Sequence, residues 1–211
     1  MPTTDEIRQF EARLAREPTS QAYAALAEAY RRAGRAGDAV TLCREGLARH
    51  PGYGTTRLVL AKALLEVGDV EGASTEIQRF LGSEPEHEPA LRVAVECALR
   101  TGAPAGALER VRRLVALDPH DRAVQGLSRA LEVGVTGRVP PDAGGLWPLL
   151  VDDMYATVAF GDLCLAQGLI DEATAVFSRI VVRQPDHETA RARLGDLGRP
   201  RSAVRRPPGR G

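Results

Sequence analysis

Aromatic residues make up only 4% of this chain of 211 residues, and Trp147 is the sole tryptophan. Sheet cores lean on aromatic and β-branched side chains, so a β-sandwich or barrel starts at a disadvantage. Cysteine is confined to Cys43, Cys97 and Cys164, which are widely spaced. That pattern excludes a disulfide framework, lacks any CxxC pair and fits reduced thiols in a core. Net charge is absent as well: 28 basic residues offset 28 acidic ones. Binding nucleic acid with the whole surface would need an excess of cations, so the balance argues against it. Lysine is nearly missing, Lys62 being the only one, and with abundant alanine and glycine this points to a GC-rich coding sequence. No apolar run approaches the ~20 residues of a membrane span. Met1-Pro2-Thr3-Thr4-Asp5-Glu6 has neither a basic start nor an apolar stretch, so no secretory signal and a cytoplasmic location are expected.

What remains is a chain 44% hydrophobic and 27% charged, rich in alanine, leucine, arginine and glutamate, which are helix formers. Its strongest order is periodic. Gly34, Gly68, Gly102 and Gly168 align, and with them Ala39, Ala73, Ala107 and Ala173, then Pro51, Pro85, Pro119 and Pro185; the first three lines recur every 34 residues. A mid-unit glycine and a terminal proline at this period are the mark of stacked helix-turn-helix units. In the first unit Tyr23, Leu26, Ala27 and Tyr30 share one helical face that Gly34 ends. A second helix carries Ala39, Cys43, Gly46 and Leu47, with small residues at 39 and 46 to let the backbones approach, and stops at His50-Pro51.

On these positions the chain resembles the tetratricopeptide repeat family. The resemblance covers most of the sequence and implies an all-α, right-handed α-solenoid that binds proteins without catalysis. Departures are Arg57 and Thr157 at positions the family fills with a large apolar residue, Ala98 and Cys164 in place of an aromatic, and Phe80, Leu114 and Ile180 in place of alanine.

The expected organisation follows. Residues 1–19 hold a capping helix, Asp5 to Arg16, with Thr3 and Glu6 spaced as a capping box and Ile7, Phe10 and Leu14 on one face. Residues 20–133 form three repeats and one further helix. Residues 134–148, with four glycines and three prolines, read as a linker. Residues 149–197 form a fourth repeat with a closing helix, which alone cannot bury its apolar face and must dock, pair with a second copy or order on a partner. The tail 198–211 carries five arginines after Asp196 and reads as disordered.

Candidate chemistry is sparse. His50, His87, His120 and His187 each sit beside a repeat-ending proline, but packed helices ~8–10 Å apart would keep their nitrogens from converging on one metal ion. No phosphate loop, HExxH or nucleophile elbow is present, and Asp152-Asp153 and Asp171-Glu172 fit helix starts. Neither an enzyme nor a cofactor is expected. The first helices of such repeats line a concave groove, which implies Glu28, Arg31, Leu58, Lys62, Leu65, Arg92, Glu96 and Leu99 as its partner-binding residues. Mixed charge among leucines suits an amphipathic helix or peptide of a partner protein. Ala24 and Glu28 replace the lysine and asparagine with which some family members clamp carboxylate-ended tails, which lowers that reading. Trp147 is either a binding hot spot in the linker or a staple holding it to the third repeat. Self-association through the fourth repeat, and nucleic-acid contact through the arginine tail, stand as alternatives.

Overall fold

The structure is a computed structural model that describes residues 4–138 and 145–199. The chain is all-α. Among the described residues the helices are α1 (Thr4–Arg16), α2 (Ser20–Arg32), α3 (Ala36–Arg49), α4 (Gly54–Val67), α5 (Val70–Ser83), α6 (Glu88–Arg100), α7 (Pro104–Leu117), α8 (Arg122–Thr136), α9 (Val158–Ala166), α10 (Ile170–Arg183) and α11 (Glu188–Leu197), with two 3₁₀ turns at Trp147–Val151 and Asp153–Tyr155. The Thr3 capping box and the tail beyond residue 199 lie outside the described residues.

The three aligned residue types have separate physical jobs. Gly34, Gly68, Gly102 and Gly168 take φ of +77°, +90°, +72° and +74°, a left-handed turn that a side chain would strain. Ala39, Ala73, Ala107 and Ala173 are fully buried, so any larger residue there would push the paired helices apart. The prolines follow the capping residues His50, Glu84, Asp118 and Gln184, whose N–H groups donate to the carbonyls four residues back and close each second helix.

By packing, the chain forms two compact units, Met1–Cys97 and Ala98–Gly211. In the first, α1 lays Ile7, Phe10 and Leu14 against Leu26 and Ala29 of α2. Helices α2 to α5 pack in sequence, and their side chains share one core with the start of α6, from Ala27 through Leu64 and Ile77 to Cys97. A Cβ on Gly46 would lie 2.8 Å from Cβ and Cγ of Tyr23, so this glycine is what lets α3 close on α2. Two departures from the repeat pattern also find their reason here. Phe80, oversized for its position, presses its ring against Gly54, where a Cβ would be 3.0 Å away. Arg57 is held by Glu76 of α5 at 2.6 Å.

In the second unit α8 packs on α7 and on α10. The expected linker starts too early. Helix α8 continues through Gly134 to Thr136 and is stopped by Gly137 at φ +67°. Gly134 is buried where α8 crosses α10: a Cβ would lie 2.7 Å from the Ala175 carbonyl oxygen, so this glycine serves close approach and not chain flexibility. The turn beginning at Trp147 packs on α8 and α10 as well, and residues 139–144 lie outside the described residues. Thr157, the other polar departure, caps α9 by accepting from the N–H of Phe160 at 3.2 Å. Helix α10 thus docks on α8, and α11 closes the unit: Arg191 donates to the Thr101 carbonyl at 3.1 Å, and Gly198 lies against Leu99.

Candidate protein-interaction face

The first helices α2, α4 and the start of α6 belong to one unit, and polar residues of α2 and α4 gather into a charged cluster. Thr19 caps α2 by accepting from the Ala22 N–H at 3.3 Å, which fixes the helix on which Glu28 and Arg31 stand three apart. The Arg31 guanidinium grips Glu28 with both prongs, Nε to Oε2 and Nη2 to Oε1, each at 2.8 Å. Its remaining Nη1 donates to Glu66 at the end of α4, tying two successive repeats together. Arg32 adds a third bond to Glu28 at 2.9 Å.

Burial opposes the ionised form of Glu28, yet the Arg31 bonds, with Arg32 and the nearby charge of Lys62, outweigh it and hold the carboxyl below its usual range. The bonds from Arg31 to Glu28 and Glu66 raise the guanidinium pKa in turn, so both partners stay charged at neutral pH. Beneath them burial, with the Glu28 charge, pushes the Cys43 thiol up to about 12, which leaves it unreactive.

Arg31 is therefore committed to two carboxylates. Lys62 is half-buried and feels Glu28 electrostatically. Arg92 is paired with Glu88 at 2.9 Å with its side chain 48% exposed, and Glu96 is half-buried. The leucines are placed differently from the expectation. Leu58 and Leu65 are 8% and 6% exposed and belong to the core of the first unit, and Leu99, in the second unit, is 1% exposed beneath Gly198. They stabilise the stack and present almost no surface. Ala24 is buried too. Trp147 is 9% exposed in the turn on α8 and α10, so it staples the chain internally and offers no free anchor.

Glu66 was not among the expected residues. The signal for it is the repeat itself: it follows Arg31 by 35 positions, one period plus one, and so reaches the same height on the neighbouring first helix. Three of the four histidines have local work. His87 and His187 accept from the N–H groups of Ala90 and Ala190 at helix starts, and a ring nitrogen of His50 lies 3.3 Å from the Pro18 carbonyl. Among the described residues no group of three His, Cys, Asp or Glu side chains is arranged to hold a metal, and no helix is long and apolar enough to cross a membrane.

Residues 30–83 match one family model described as tetratricopeptide repeat, and residues 58–122 match a second with the same description. Among solved structures, a tetratricopeptide repeat protein from Parabacteroides merdae is 17% identical, with a TM-score of 0.56 over 92% of this chain and 91% of that one. A thermophilic protein of the same repeat class from Thermus thermophilus is 21% identical over 85% of this chain and 98% of its own, with a TM-score of 0.49. No curated protein matches.

Proposed function

Because the chain is a tetratricopeptide repeat protein, a class that generally serves as a protein–protein interaction module, we propose that the first-helix face of residues 20–97 captures a peptide or helix of a partner protein. The observation that carries this reading is the distribution of charge on that face. Arg31 is shared between Glu28 and Glu66, and Lys62, half-buried near Glu28, and Arg92, 48% exposed while paired with Glu88, are the cations we place against acidic side chains of a partner. Leu58 and Leu65 support the helices from below, so recognition on this face is polar. Repeat proteins of this class are typically non-catalytic, and no catalytic domain is found.

Affinity capture from the native source with the whole protein, run beside Lys62→Glu/Arg92→Glu, tests the reading. Loss of a captured protein from the double variant, with helical circular dichroism unchanged, supports it. An identical captured set sinks it.

A second reading, self-association through the fourth repeat, is favoured by one observation. Leu163 of α9, an apolar helix, is 54% exposed, and Met154 of the preceding 3₁₀ turn is 72% exposed. Light scattering on chromatographic peaks of the full chain decides it, since a monomer at all concentrations removes it.

A further inference from the structure

Arg57 breaks the repeat pattern, and the space around it is a second candidate surface, on the opposite helices of the first unit. Between α3 and α5, above α4, lies an open cleft of about 430 Å³. Leu47 and Leu60 contribute apolar lining, and Arg44, Arg57 and Arg79 surround a single carboxylate, Glu76.

The donors in this cleft outnumber its acceptors. Glu76 takes one bond on each oxygen, from Arg57 at 2.6 Å and from Arg79 at 2.8 Å, and Arg57 spends a further prong on the Pro51 carbonyl at 2.9 Å. A guanidinium carries five N–H donors, so Arg57 and Arg79 retain unused ones. Arg44 is exposed and makes no hydrogen bond or ion pair among the described residues. Three guanidiniums against one carboxylate leave the cleft cationic, and the Arg57–Glu76 pair, with side chains 20% and 14% exposed, fixes its inner wall. Such a wall is pre-organised and loses little entropy on binding.

We propose that this cleft docks an acidic, aliphatic segment of a partner protein, with a carboxylate bridging Arg44 and Arg79 and a neighbouring aliphatic side chain on Leu47 and Leu60. Charge complementarity selects the anion, and planar guanidiniums match a carboxylate in two-pronged fashion. The apolar lining selects an aliphatic neighbour over a bare anion. The chain's own tail, with Arg199, Arg201, Arg205, Arg206 and Arg210, has the wrong sign to fill it.

The test is fluorescence anisotropy of the full chain with short labelled peptides: alternating glutamate and leucine, alternating lysine and leucine, alternating glutamate and glycine, and an oligothymidine strand as the phosphate control. The glutamate–leucine peptide is expected to bind best. Arg44→Glu/Arg79→Glu should weaken it by about tenfold or more, the loss of one charge-assisted contact, and by more than Lys62→Glu/Arg92→Glu does, while Arg113→Glu, an exposed arginine on α7, leaves it unchanged. Arg44→Glu alone removes a side chain with no described partner, so its partial loss of binding is free of any folding defect. Equal binding of the other peptides or the oligonucleotide, no binding of the glutamate–leucine peptide, or insensitivity to Arg44→Glu overturns the proposal. Sensitivity only to the Lys62 pair also overturns it, and assigns the peptide to the first-helix face.

Discussion

Helices α4 and α9 are both first helices of a repeat and both apolar, yet they meet opposite fates. In α4 the side chains Leu58, Val59, Leu60, Ala61, Ala63, Leu64 and Leu65 are all buried, because α2, α3 and α5 pack around it. In α9 only Gly161 and Cys164 are buried, its main partner is α10, and Leu163 stands 54% exposed. A helix apolar on every side is made for a position with neighbours on every side. Coverage is set by the number of repeats stacked beside it, and no count of apolar residues within the helix supplies that number.

The sharpest way to break this contrast is to shorten one leucine in each helix. Leu64→Ala in α4 removes a side chain 3% exposed and should cost about 2–5 kcal/mol, as buried leucine truncations do. Leu163→Ala in α9 should stay within about 0.5 kcal/mol, as surface changes do. Urea denaturation of both variants reads the difference; equal losses would mean that α9 is as enclosed as α4.

Glycines extend the comparison to helix approach. Gly134→Ala in α8 would set a methyl 2.7 Å from a backbone carbonyl of α10, and backbone has no rotamer to yield, so a loss of about 1–3 kcal/mol is expected. Gly82→Ala in α5 meets nothing within 4 Å and should gain about 0.5–1 kcal/mol by restricting the unfolded chain. Thermal melts with opposite signs check both. The same pair marks what could be read from the sequence. The recurring positions 34, 39 and 51 and their copies were legible, because one turn, one close contact and one helix stop repeat each time. Gly134 occurs once, in a stretch whose composition says linker, and only the packing of α10 on α8 reveals its use. Arg31 and Glu28 were legible as neighbours on one helix face. The burial of Leu58, Leu65 and Leu99 was not, because a face that tertiary packing covers has the same period as one left open.

An effect of comparable size sharpens the electrostatic half of the first unit. Arg31→Ala leaves Glu28 with Arg32 and Lys62 alone and should cost about 1.5–3 kcal/mol at neutral pH, the range for bonds to a charged group. The sign with pH follows from the depressed carboxyl of Glu28. Its stabilisation is complete above the unfolded value of about 4.3 and fades as pH falls through the lower folded one. In the variant that carboxyl returns toward its ordinary value, so the stability gap between variant and parent should narrow below about pH 4. A gap that stays constant from pH 7 to about 3 would show that Arg31 acts through packing and not through its charge.

The least change in stability belongs to Leu163→Ser, and it decides what the exposed side of α9 is for. Serine removes apolar area from water without opening a cavity, since the leucine is already more than half exposed. Folding should therefore hold within about 0.5 kcal/mol. If Leu163 and Met154 meet a second copy of the chain, the variant shifts the concentration dependence of the light-scattering mass toward monomer while its melt is unmoved. If mass and melt are both unchanged, the exposed leucine is one of the many apolar groups a surface carries at no cost, and the contrast between α4 and α9 is one of repeat count alone.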